Sequence, residues 1–273
     1  MFEALREKGY QIEFVSHALA ILEIDFLDAA KELEEVILNQ SIPIEEIIGS
    51  GGGETKGTQR LRNGLAAKRW LKETFTITKT INGEPRESIS HKVDHVRLVE
   101  RENGSRYRLA LEIEWNNKDP FFDRDLENFK RLHAEGGISI GVVVTRGTSM
   151  QDAMRSLVRR WVDENKVDDF ERLSALGIEQ TARQKREVLK RVQRAKNPIP
   201  FREAWTSHFV SDKFGAATTH WRKLDDRIKR GVGNPCPLVL IGLPSSIVTF
   251  GESAETVRAL IEEGAKALKE DDE

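Results

Sequence analysis

Apolar and polar residues alternate from Tyr107 to Trp115. Tyr107, Leu109, Leu111, Ile113 and Trp115 fall on one side, and Arg108, Ala110, Glu112 and Glu114 on the other. A period of two predicts a β-strand, with Glu112 and Glu114 projecting together from a polar face. Asp119 and Pro120 then read as an N-cap and a first helical position. Phe122, Leu126 and Phe129 recur at helical spacing, Arg124 and Lys130 lie off that stripe, and Gly136-Gly137 closes the helix. The apolar run Ile138 to Thr145 predicts a buried strand. Strand, helix and strand joined by short turns make a βαβ unit.

Around this unit the pattern predicts further elements. Residues 10–48 read as helical, with one apolar patch at Phe14, Ala18, Ile21, Leu22 and Ile24 and a second at Ala29, Leu33, Val36 and Ile37. Asp28 to Glu35 is their charged outer face. Gly49 to Gly53 is a flexible break. The basic stretch after it, Glu54 to Arg62, lacks the G-x-x-x-x-G-K-[ST] phosphate loop and suits a loop that approaches a DNA backbone. Leu61 to Phe75 reads as a helix with Leu61, Leu65, Trp70 and Leu71 in the core and Glu73 near its end. Thr76 to Ile81 is a strand, Asn82-Gly83 a hairpin turn, and Val93 to Val99 a strand carrying Asp94. Ser149 to Trp161 is a helix with Met150, Met154, Leu157, Val158 and Trp161 inward and Arg155, Arg159 and Arg160 outward. Leu224 to Arg230 is a basic amphipathic helix, Pro237 to Pro244 a buried strand, and Glu252 to Leu268 a closing helix with an acidic tail. The expectation is an α/β fold: a mixed central β-sheet flanked by helices, with helical additions. It forms a single domain over 1–273, in which 1–60 is an N-terminal helical region and 162–205 a helical basic insertion.

Charge refines this picture. The net charge is only −2, so no bulk basic character announces nucleic acid. The signs are separated, however: residues 1–50 carry eleven acidic and three basic side chains, and 183–196 carry seven basic and one acidic. Such a chain can present a local basic surface while staying near neutral overall. The one cysteine, Cys236, cannot form an internal disulfide, which fits a reducing cytoplasm. No apolar stretch approaches membrane-spanning length.

Two glutamates two apart on one strand face repel unless a cation sits between them. Asp94, eighteen residues before Glu112, would complete a three-carboxylate cluster if its strand is a neighbour. Hard oxygens at one point suit Mg²⁺. Asp94 and Glu112 would bridge the ion, the carbonyl of Ile113 would add a ligand, and Glu114 would orient or deprotonate a water. The adjoining Asn116, Asn117, Lys118 and Asp119 put amides and a lysine beside the cluster, and such groups pair with base edges and phosphates. A second polar run, Ser211 to Arg222, is rich in small and hydrogen-bonding residues and would suit close approach to base pairs or simple polar capping of a helix.

These residues together resemble the type II restriction endonucleases of the BamHI and BglII group, within the PD-(D/E)xK nuclease superfamily. The resemblance rests on Val93-Asp94-His95, on Leu111 to Asp119, on the helix from Phe122 to His133 and on the strand from Gly141 to Arg146. The superfamily's usual motif lysine is replaced by Glu114, a departure shared with BamHI-type members that leaves the general base open. A further upstream acid shapes the site in that superfamily, and Glu73 is the match, with Glu87 as the alternative. The resemblance implies a homodimer on double-stranded DNA, each subunit cutting one strand of a palindrome. Relatives cut six-base sites centred on GATC and leave four-base 5′ overhangs. It places base and backbone contacts at Asn116, Asn117, Lys118, Asp119 and Arg124, and a second reading loop at Lys213, Thr218, Thr219, His220 and Arg222. The alternatives are a structure-specific or repair nuclease with the same metal centre and a non-cleaving DNA-binding protein.

Overall fold

A computed structural model describes residues 1–49, 55–101 and 103–251. Most of the glycine break at 49–53 and the closing helix expected from Glu252 lie outside these residues. The elements are α1 (Glu3–Glu7), β1 (Gln11–Val15), α2 (Ala18–Asp25), α3 (Leu27–Leu38), β2 (Ile42–Pro43), α4 (Ile44–Ile48), α5 (Lys56–Ala67), β3 (Trp70–Ile81), β4 (Glu84–Glu100) and β5 (Arg106–Glu114). They continue with α6 (Phe121–Ala134), β6 (Ile140–Arg146), α7 (Thr148–Glu164), α8 (Phe170–Ala175), α9 (Ala182–Val192), α10 (Phe201–Lys213), α11 (Trp221–Lys229), β7 (Leu238–Leu243) and β8 (Val248–Thr249).

The fold is mixed α/β, with helices flanking a central mixed sheet of six strands in the order β1-β7-β6-β5-β4-β3. β5, β6 and β7 run parallel, as a βαβ crossover through α6 requires. β3 and β4 form an antiparallel hairpin that pairs with β5, turning at Asn82 and Gly83, both with positive φ. The α6 stripe is buried as its spacing predicts: Phe122, Leu126 and Phe129 pack with Val96, Ala110, Val143 and Leu224. Each such side chain contributes about 1.5–3 kcal/mol of burial. Gly141 permits this closeness, because a Cβ there would run into the Phe129 ring. The helix stops at Gly136, whose φ of 71° is costly for other residues. Gly136 and Gly137 donate to the carbonyls of His133 and Leu132, closing the last turn. The opposite face of the sheet meets α2 and α3, where Phe26 sets its ring edge-on to Tyr107 and Glu32 pairs with Arg97.

The chain clusters into two compact units. The first comprises Met1–Gln40, Arg60–Thr148 and Thr219–Pro244 and holds the six-stranded sheet. The second comprises Ser41–Gln59, Ser149–Thr218 and the chain from Ser245. In it β2 pairs with β8, and Trp161, Trp205, Phe209 and Phe214 form an aromatic core with Met154 and Val158 buried.

Several local expectations are corrected. Residues 10–48 are not all helical: Gln11–Val15 is an edge strand held by antiparallel pairing to β7, too short for its alternation to stand out. Ile24 lies 77% exposed, outside the patch it was grouped with. The helix read over Leu61–Phe75 runs instead from Lys56 to Ala67, so the basic stretch expected as a loop is helical from Lys56 on. Arg69 takes a positive φ, and the β-branched run after it extends as β3, which leaves Leu71 exposed while Trp70 stays buried. The basic stretch 162–205 holds the short helices α8 and α9 and the start of α10. Pro120, not Asp119, occupies the N-cap of α6, and no side chain caps it there.

Candidate active site

β5 is buried on both faces, contrary to its half-polar pattern. Its Glu112 and Glu114 face, shared with Ala110, is covered by α6, and the two carboxyls are 8% and 2% exposed. Asp94 stands beyond the last β4–β5 rung, His95 with Leu111. Its backbone N–H donates to the Glu112 carboxylate. Its own carboxylate is half exposed and lies 3.4 Å from Lys72 Nζ on β3. The sheet therefore does bring Asp94, Glu112 and Glu114 to one end of β5.

A fourth carboxylate joins them. Asp125 on α6 is 2% exposed. It sits among Phe122, Leu126 and Phe129 on the apolar stripe, and that break in the stripe was the available sequence signal. Arg124 bonds Asp125 Oδ1 at 2.8 Å and stands 3.8 Å from Glu114. Oδ2 is buried without a hydrogen-bond partner among the described residues, and the Asp125 carboxylate raises the proton affinity of the neighbouring Glu114 carboxyl. Asn117 Nδ2 donates to Glu114 Oε2 at 2.8 Å.

Burial and mutual repulsion disfavour charge here. Desolvation, then Asp125 and Asp94, push the Glu112 carboxyl up to about 9. Glu114 is raised by desolvation and by Asp125, and Asp125 by its own desolvation. A divalent cation would reverse these shifts. Among the described residues no three Asp, Glu, His or Cys side chains converge on one point. The donor set fits Mg²⁺ nonetheless, because that ion takes one or two carboxylates and completes its shell with water and phosphate. Asp94, Glu112 and the Ile113 carbonyl are the donors on offer.

Glu73, on β3, lies opposite Val93, the residue before Asp94, and its carboxylate pairs with Arg108 of β5 at 3.1 Å. Glu87, the alternative, sits on the β3–β4 hairpin beside Lys79.

The corner after β5 is rigid. Arg146, at the end of β6, is fully buried. Its Nε donates to the Trp115 carbonyl at 2.7 Å and its Nη2 to the Thr219 carbonyl at 2.6 Å. The Thr219 N–H in turn donates to the Asn117 carbonyl at 2.8 Å. Two segments a hundred residues apart are thus tied together, and sequence reasoning missed the arginine that ties them. Burial pushes the Arg146 guanidinium down to about 9. Asn117 and Lys118 are exposed and Asn116 is half-buried. Asp119 pairs with Lys223 at 3.4 Å and Arg227 at 3.5 Å, and Arg124 lies over the Phe121 ring. Of the second run, Thr219 and His220 are buried at the entry to α11, on which Arg222 is exposed. Burial and then Arg146 push the His220 imidazole down to about 4. In the second unit, Lys213 ends α10, and Thr218 bonds the Gly215 carbonyl.

Among the described residues no helix is long and apolar enough to cross a membrane. Residues 10–243 match the protein family described as restriction endonuclease BglII/BglIII. No curated protein sequence matches the chain.

Proposed function

Since the chain belongs to the BglII/BglIII restriction endonuclease family, and so acts on DNA, we propose that it is a type II enzyme. It hydrolyses phosphodiester bonds of double-stranded DNA at a specific palindrome with Mg²⁺, as a homodimer in which each subunit cuts one strand. A twofold enzyme matches a twofold site. A six-base site with a 5′ stagger follows from the resemblance to the BamHI and BglII group.

The observation that carries this reading is the buried pair Glu112 and Glu114 on β5, flanked by Asp94 and Asp125, directly before an amide-bearing corner held by Arg146. Asp94, Glu112 and the Ile113 carbonyl hold the ion. When bound, Mg²⁺ supplies Lewis-acid polarisation of the scissile phosphate and acidifies a water. Glu114 takes the proton from the attacking water, a role that needs its carboxyl ionised, the form a bound cation favours. Asp125 and Asn117 hold the Glu114 carboxyl in place from two sides. Lys72, beside Asp94, offers a cation to the phosphate. Asn116, Asn117 and Lys118 face the bases and backbone, with Arg146 fixing their position.

The test is binding and cutting of duplex DNA by Glu112→Gln. The variant is expected to lose cleavage in Mg²⁺ and keep site-selective binding in Ca²⁺. Undiminished cleavage would remove Glu112 from the chemistry.

A further inference from the structure

The cations of the second unit divide into two groups. Along α7 each arginine is matched. Arg155 and Arg159 pair with Glu203 of α10, Arg159 also with Asp163, and Arg160 with Glu164. Arg202 of α10 pairs with Asp163 and Asp168. Around α9 the pattern reverses. Arg183 and Arg186 on the helix, with Arg194 and Lys196 just after it, are exposed and carry no ion pair among the described residues. Lys190 pairs only with Glu187 of its own helix, at 2.8 Å.

Their placement is not scattered. At 3.6 residues per turn, positions 183, 186 and 190 fall within a sector of about 60°. The buried Val188 faces away from it. Lys185 leaves the sector for the Phe170 ring, and Gln184 for Asp212. On the packed side only Lys185 and Gln184 find such partners, Arg191 Nη1 being buried without a hydrogen bond among the described residues, and the exposed side is left positive. Positions 183 to 190 span about 10 Å of helix, comparable with three phosphate steps on one DNA strand. Three of the four unpaired cations are arginines, whose planar fork matches phosphate oxygens two at a time. Like charges so close repel one another, and an anionic partner relieves that repulsion.

We propose that Arg183 and Arg186 on α9, with Arg194 and Lys196 just after it, contact DNA phosphates without reading sequence. They are separate in sequence from the corner at Asn116–Lys118. The inference rests on DNA being the substrate. It adds an element that supplies affinity for any duplex, while the corner supplies selectivity.

The experiment combines Arg183→Gln, Arg186→Gln, Arg194→Gln and Lys196→Gln in the full chain. Exposed positions of this kind tolerate substitution. Binding to labelled duplexes with and without the cut site is measured by anisotropy in Ca²⁺ over a range of KCl. Each lost phosphate contact is expected to make the slope of log K against log[salt] shallower by about 0.9, so by about 3.6 if all four residues touch phosphate. Affinity for both duplexes falls by the same factor, which keeps their ratio. An unchanged slope beside a salt-dependent wild type would overturn the proposal and point these cations at another acidic partner, such as a protein surface. A collapse of the ratio would overturn it in favour of base contacts. A wild-type chain that binds no duplex would instead sink the proposed function, and this inference with it.

Discussion

The buried carboxyls of Glu114 on β5 and Asp125 on α6 are neighbours beneath the strand–helix corner, and the Arg124 guanidinium reaches both, at 3.8 Å and 2.8 Å. The relationship depends on α6 crossing back over the strand it follows, which the buried Phe122, Leu126 and Phe129 stripe enforces. A carboxylate placed on that stripe has nowhere to go but the site.

Asp125→Asn keeps the shape and an oxygen for Arg124 but removes one negative charge beside Glu114. Its kcat is expected to fall about 10- to 100-fold, the usual loss when a residue that orients a metal-site group is altered. KM should change little. Asp125→Ala is expected to lose more. Single-turnover cleavage at saturating DNA measures both, and equal rates for wild type and Asp125→Ala would deny Asp125 any positioning role.

Glu112 makes the metal-free protein sensitive to pH. Its carboxyl is raised from 4.5 to about 9 in the folded state. The folded state therefore binds its proton more tightly than the unfolded chain. Stability from this group is fully present below about 4.5 and is lost as pH rises towards about 9. In EDTA, Tm should decline across that window. Glu112→Gln should flatten the decline, and Mg²⁺ should raise Tm most at its alkaline end. A variant with the same pH slope as wild type would contradict the assignment.

Glu114→Gln removes the proposed base but neither of the proposed side-chain metal ligands. Cleavage is expected to drop about 10²- to 10⁴-fold, while the Mg²⁺-induced rise in Tm persists. Loss of that rise would make Glu114 a ligand.

Arg146→Met leaves the Trp115 and Thr219 carbonyls without a donor, at about 1–3 kcal/mol each. The corner should loosen, and cleavage at sites one base removed from the true site should rise relative to the true site. Urea unfolding measures the first effect and competitive digestion the second. A destabilised variant of unchanged selectivity would confine Arg146 to holding the fold.

Much of this was legible from local pattern. The βαβ unit, the Asn82-Gly83 hairpin turn and the α6 core stripe follow from spacing alone, because each is fixed by neighbours close in sequence. Asp94 comes beside Glu112 because antiparallel pairing of β4 with β5 sets it there, and Glu114 follows two residues on along β5. Other features depend on partners far along the chain. β1 is a strand only because β7 pairs with it. Trp70 falls in the helix expected over Leu61–Phe75, and only the left-handed Arg69 that follows α5 puts it at the start of β3. Asp125 looked like a polar residue on a helix, and its burial became visible only once α6 lay on β5. Arg146 closed a run of seven buried strand residues, and nothing local showed that it would reach across to Trp115 and Thr219.

The most direct measurement is digestion of a long, sequenced DNA by the purified chain in Mg²⁺, with every cut end sequenced. Discrete fragments whose ends share one palindrome, absent in EDTA and absent for Asp94→Asn, are the predicted result. Ends scattered without a common sequence, or clustered at branched junctions, would contradict it.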